Sequence, residues 1–154
     1  MNFPKIGVTL GDPCGIGPEI VLKAFSSKDS LPKAHYMLFG SSWIIEEEKQ
    51  SLSIELDIPP FEKLKSNSPS LSLLEIESPL KTIKKGAPSK EAGQASFLFF
   101  KEAVEKAKKG EIHALVTAPI SKRSWNLAGF EWPSHTNFLS QLSLKQSWLS
   151  GQKK

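Results

Sequence analysis

The sequence has 154 residues, 39% hydrophobic and 23% charged, with a formal net charge of +4 from 20 Lys+Arg against 16 Asp+Glu. That size fits one soluble globular domain with a buried core. The excess charge gives no basic stripe with interleaved aromatics, so no nucleic-acid partner is indicated, and Lys84-Lys85, Lys108-Lys109 and Lys153-Lys154 read as solvated surface.

A single cysteine, Cys14, excludes an internal disulfide and fits a reducing, cytoplasmic setting. Its place near a helix N-terminus would suit an activated thiol, although a small buried residue in a tight turn is the simpler role. The N-terminus lacks the apolar core of a signal peptide, and no apolar run approaches a membrane span.

In chain order, Ile6–Leu10 is predicted as a short buried strand and Glu19 to about Phe25 as a helix. Between them, Thr9-Leu10-Gly11-Asp12-Pro13-Cys14-Gly15-Ile16-Gly17-Pro18-Glu19 concentrates three glycines and two prolines. Pro18 suits a first helical turn and Glu19 the positive end of the helix dipole. A glycine loop leading into a helix N-terminus is a plausible anion site. The known glycine fingerprints fail, however: Ile20 stands where the dinucleotide pattern needs its third glycine, and no phosphate-loop pattern occurs. Asp12 would either orient a ligand or brace the turn through its own backbone, the brace being favoured.

Ser26–Ser30 breaks the helix, and His35–Gly40 is a second buried strand. Ser41 or Ser42 caps a helix from Trp43 to about Leu52. Ile54–Ile58 alternates as a short strand stopped by Pro59-Pro60. Ser66–Ser70 is a loop, and Leu71–Ile76 is another strand. The clearest helix runs from Ser89 to Lys109, with an apolar stripe of Ala92, Ala95, Phe99, Ala103 and Ala107 widened by Phe100 and Val104, and Gly110 as its stop. His113–Thr117 is a buried strand ending at Ala118-Pro119, and a short helix closes at Gly129. This alternation predicts an α/β domain with a mainly parallel sheet, and there is no internal repeat. Ligands in such sheets sit beyond the C-terminal strand ends, where the Thr9–Gly17 and Thr117–Lys122 loops both fall.

Three segments carry a family resemblance. The Thr9–Glu19 segment resembles the N-terminal signature of the 4-hydroxythreonine-4-phosphate dehydrogenase family. Ala114-Leu115-Val116-Thr117-Ala118-Pro119-Ile120-Ser121-Lys122 is similar to its A-L-V-T-A-P-I-x-K segment. Ser134-His135-Thr136-Asn137-Phe138-Leu139 is similar to its G-H-T-E-F-L, with Ser134 and Asn137 as departures. The resemblance covers Lys5 to about Leu139, so residues 1–139 are read as the N-terminal portion of that fold and residues 140–154 as a divergent tail. It implies a three-layer α/β/α fold like the isocitrate and isopropylmalate dehydrogenases, of which only the N-terminal part is present.

The resemblance also implies NAD- or NADP-dependent oxidation, with decarboxylation, of a phosphorylated hydroxythreonine in vitamin B6 synthesis, by a cytoplasmic homodimer. His135 and Thr136 would contact substrate, with Lys122 and Asp12 as weaker candidates for phosphate or cleft contacts. The family's divalent metal (Zn, Mg or Co) is held by three histidines beyond the His-Thr pair. Only His35, His113 and His135 occur here, without ligand spacing, so no metal ligand is assigned. Two alternatives stay open: a dehydrogenase of phosphothreonate or phosphoerythronate, and a truncated, non-catalytic product.

Overall fold

A computed structural model describes residues 3–27, 30–63, 68–131 and 135–140. The elements run β1 (Lys5–Thr9), α1 (Gly17–Ser26), β2 (His35–Gly40), α2 (Ser42–Leu52), a 3-10 turn at Phe61–Lys63, β3 (Ser70–Glu75), α3 (Lys90–Lys108), β4 (Ala114–Thr117) and α4 (Lys122–Leu127). Residues 135–140 are also helical.

The four strands form one parallel sheet in the order β3-β2-β1-β4. Its register pairs Thr9 with both Phe39 and Thr117, so the C-terminal ends of the three strands align. From β1 to β3 the chain advances in one direction; from β3 through α3 to β4 it returns. Right-handed crossovers therefore place α1 and α2 on one face and α3 on the other, which is the expected α/β/α layering. The core between the layers includes Leu10, Leu22, Leu38, Phe39, Ile44 and Phe99, all fully buried.

The long helix follows its sequence signals. Ser89 Oγ accepts a hydrogen bond from Ala92 N at 3.0 Å, and Gly110 takes φ +70° just past the C-cap. Its buried face holds Ala92, Ala95, Phe99, Phe100, Ala103 and Val104, as the stripe predicts, together with Gly93 and Ser96. Ala107 is exposed, because the core ends one turn before the helix does.

Three further expectations need correction. Ile54–Ile58 is not a strand. Leu56 in it is buried, but Pro59 and Pro60 offer no N–H donors, and only an isolated bridge joins Pro60 to Leu73. Ser41 occupies the N-cap of α2 without capping it: its hydroxyl donates to Ile76 O, and the Glu75 carboxylate accepts from Ser42 N at 2.9 and 3.1 Å instead. The last strand is not buried either. β4 lies at the sheet edge with Ala114 and Val116 exposed, Val116 to 53%. It also starts one residue late, at Ala114, although His113 N still donates to Lys5 O and its Nδ1 accepts from Lys5 N.

Candidate functional site

Two loops meet where β1 and β4 end. Asp12 N donates to Pro119 O at 3.0 Å and Ala118 N to Thr9 O at 3.3 Å. Gly11 permits this approach twice over. It sits at φ +70°, and a Cβ there would collide with the Pro119 carbonyl oxygen. Gly17 works similarly at the far side of the turn, where a Cβ would strike the Leu10 carbonyl.

Asp12 is 3% exposed, and its Oδ1 accepts from Cys14 N at 2.7 Å while its carbonyl accepts from Gly15 N at 3.0 Å. This is an Asx brace. It sets the shape of the turn that opens α1, whose first turn carries Pro18 and Glu19. The Glu19 carboxyl is held below its ordinary range by the hydrogen bond from Lys23 Nζ. Cys14 is buried, and burial pushes its thiol pKa up, which is unsuited to a thiolate nucleophile.

A strap from Ile76 to Ser89 crosses the outside of this turn. Ile76 N donates to Gly40 O, and Gly86 N donates to Cys14 O at 2.8 Å. Leu80 and Ile83 pack with Cys14, Ala92 and Trp43. Lys85, read from sequence as solvated surface, is instead tied down: its Nζ lies 2.6 Å from Glu48 Oε2 and donates to Gly15 O at 3.0 Å. Glu48 is 3% exposed and sits on α2. No sequence spacing links residues 13–15, 48 and 85, so this cluster was not legible in advance. Beside it, beyond the ends of β2 and β3, lies an open cavity of about 460 Å³ lined by Ser41, Trp43, Glu75 and Lys81.

On the other side of the meeting point, Ser121 caps α4, its Oγ accepting from Ser124 N at 3.1 Å. Lys122 follows, exposed, at the start of that helix. Trp125 is fully buried, and its Nε1 donates to Ser96 Oγ at 2.9 Å. Gly93 lets α3 and α4 approach so closely, since a Cβ there would overlap the Ser124 carbonyl.

His135 packs edge-on against Phe100 and Trp125, with ring centroids 4.6 and 5.5 Å apart. Its Nε2 is buried without a hydrogen-bond partner among the described residues, as is Thr9 Oγ1. Burial lowers the His135 pKa. Thr136 is exposed, and Ser134 lies outside the described residues. The structure therefore joins the Asp12 turn to the Pro119 loop, while the ring contacts of His135 tie it to α3 and α4.

The described residues contain no group of three His, Cys, Asp or Glu that could hold a metal ion. His35 Nδ1 lies 2.8 Å from Ser70 Oγ, and His113 accepts from Lys5 N, both at the N-terminal ends of their strands. These residues do not fit a metal centre beside the turn.

Comparison with known proteins decides the family. The model of the pyridoxal phosphate biosynthetic protein PdxA matches residues 32–150. This chain belongs to the PdxA family. The match runs past Leu139 into the segment expected to be a divergent tail, and residues 141–154 lie outside the described part of the structure.

Among relatives, a 4-hydroxythreonine-4-phosphate dehydrogenase from Thermosynechococcus vestitus is 37% identical over 90% of this chain and 39% of its own length. A namesake from Synechococcus sp. is 33% identical over 94% of this chain and 42% of its own length. A Clostridium botulinum relative with the provisional name D-threonate 4-phosphate dehydrogenase is 31% identical over 92% of this chain and 44% of its own length. The crystal structure of a 4-hydroxythreonine-4-phosphate dehydrogenase from Burkholderia phymatum superposes with a TM-score of 0.82 at 28% identity, over 92% of this chain and 44% of that one. The chain thus spans about two fifths of the length of these PdxA relatives.

Proposed function

We propose that this chain supplies the N-terminal portion of a PdxA-type dehydrogenase that oxidises 4-phosphohydroxy-L-threonine with NAD or NADP, with decarboxylation of the ketoacid formed, in vitamin B6 synthesis. The observation that carries the reading is the junction of the Asp12 turn with the Pro119 loop at aligned strand ends, in a chain of this family. Ligands of open parallel sheets bind at such ends.

In this reading, His135 and Thr136 contact the substrate, and the exposed Lys122 is a candidate phosphate contact as a point charge. Asp12 acts through the turn it braces, because its carboxylate is already engaged. The nicotinamide takes the hydride, and the protein supplies position and electrostatics. The family's divalent metal would have to be held by residues beyond those described, so no step is assigned to a metal here. A cytoplasmic homodimer is part of the same proposal.

The relatives' additional length and the exposure of Val116 on β4 support a site that needs more polypeptide than this chain provides. The isolated chain is therefore expected not to turn over. A second reading, a dehydrogenase of phosphothreonate or phosphoerythronate, is favoured by the Clostridium botulinum relative's name. A non-catalytic product is the third.

The test compares the isolated chain with a fusion in which the remaining part of the Thermosynechococcus vestitus relative completes it. NADH formation is followed with phosphohydroxythreonine or phosphothreonate and Zn²⁺ or Mg²⁺. Turnover by the fusion alone, with the first substrate, is the expected result. Preference for the second substrate moves the assignment to the second reading, and a folded but inactive fusion overturns the enzymatic reading. Turnover of the isolated chain within about tenfold of a full-length relative overturns the incompleteness.

A further inference from the structure

The Lys85 side chain is 44% exposed yet makes three contacts. Its Nζ reaches Glu48 Oε2 at 2.6 Å, Gly15 O at 3.0 Å and Pro13 O at 3.5 Å. An ammonium has three donors and no acceptor, so this arrangement uses its capacity. Glu48 is 3% exposed, and a carboxylate so buried requires a paired cation. The main chain adds a further tie one residue on, Gly86 N to Cys14 O at 2.8 Å. The strap thus grips the turn by the carbonyls of Pro13, Cys14 and Gly15, opposite in polarity to the N–H groups that open α1.

We propose that Lys85, anchored by buried Glu48, is a positioning residue for the Gly11–Gly17 turn and not an anion ligand. Pulling the Pro13 and Gly15 carbonyls toward the strap fixes the peptide planes that follow. The first N–H groups of α1, which have no intrahelical acceptor, are thereby held facing away from the strap. Asp12 fixes the first half of the turn from inside, and Lys85 fixes the second half from outside. Any functional consequence rests on the reading that the turn lines the ligand site, but the positioning role does not.

The test is amide hydrogen exchange on the full chain carrying Lys85→Met, Lys85→Arg or Glu48→Gln, with thermal midpoints measured alongside. The reporters are the Cys14, Gly15, Ile20 and Gly86 amides, all hydrogen-bonded in or beside the turn, and the controls are His35 and Ser70, whose amides bond at the far end of the sheet. Losing one charge-assisted bond corresponds to about tenfold faster exchange at the reporters. That change is expected for Lys85→Met with the controls unchanged, a smaller one for Glu48→Gln, and substantial rescue by Lys85→Arg. No acceleration at the reporters, or equal acceleration at reporters and controls, overturns the proposal. Inorganic phosphate, titrated against the same amides, separates the roles further: Glu48→Gln frees an anion-binding lysine and would tighten phosphate binding, whereas a positioning lysine gives no tightening. A wild-type turn that ignores phosphate counts against the ligand-site reading alone, since the exchange result stands by itself.

Discussion

Asp12 and Pro119, far apart in sequence, are joined by a backbone hydrogen bond of 3.0 Å that seats the glycine turn against the loop after β4. Gly11 is the residue that lets the two chains pass. Gly11→Ala forces a Cβ into the Pro119 carbonyl at a left-handed backbone position. The expected loss is about 2–4 kcal/mol, measured by urea denaturation. Asp12→Ala leaves the Cys14 amide without its acceptor and is expected to cost about 1–3 kcal/mol, with Asp12→Asn milder because it keeps an acceptor oxygen. Wild-type stability in Gly11→Ala would mean that the loops do not meet as described.

The two halves of this junction were legible in the sequence, because each is local, but their meeting was not. Gly11, Asp12 and Pro18 mark a turn and a helix start by their own backbone chemistry. The strands around Val8, Leu38 and Val116 follow from apolar runs, and the Ser89 cap and Gly110 stop frame α3. What could not be read depends on long-range packing. A buried Glu48 on an acidic helix and a lysine from a Lys-Lys pair look like surface until the fold brings them together. The exposure of Val116 follows from the position of β4 at the edge of the sheet, which an apolar run does not encode. Ile54–Ile58 alternates like a strand, but the prolines after it deny it a ladder.

Trp125 fastens α4 to α3. Its ring is fully buried among Phe97, Phe100 and Phe130, and its Nε1 donates to Ser96 Oγ. Trp125→Ala is expected to destabilise by about 3–5 kcal/mol through the cavity it leaves. Trp125→Phe keeps most of the volume but loses the bond to Ser96, at about 1–3 kcal/mol. Thermal melts of the two variants should rank in that order.

Exposed apolar side chains on β4 and at the start of α1 have a consequence for solution behaviour. Val116 is 53% exposed on β4, and Ile16 and Ile20 are 58% and 45% exposed at the start of α1. A strand edge that no described residue pairs with, carrying apolar side chains, favours self-association. Val116→Lys is expected to slow the rise of light scattering at high protein concentration while shifting stability by no more than about 0.5 kcal/mol. Unchanged scattering would place the association surface elsewhere.

His135 gives a prediction in pH. Its ring lies against Phe100 and Trp125, and burial depresses its pKa below the ordinary value of 6.5. The unfolded chain therefore binds this proton more readily than the folded one. By linkage, stability rises with pH wherever the unfolded state holds more protons. The contribution from the neutral ring is present in full above about pH 6.5 and is lost as pH falls toward the folded pKa. His135→Phe keeps an aromatic ring and removes the titration. The difference in unfolding free energy between wild type and His135→Phe should accordingly change between pH 7 and 5 in the direction of wild-type loss on acidification. A direct reading is the His135 ring proton shift by NMR, whose midpoint should lie below that of an unfolded reference. A midpoint at or above the reference would show that the ring is solvated or paired with a carboxylate, and that its packing on Trp125 does not persist in solution.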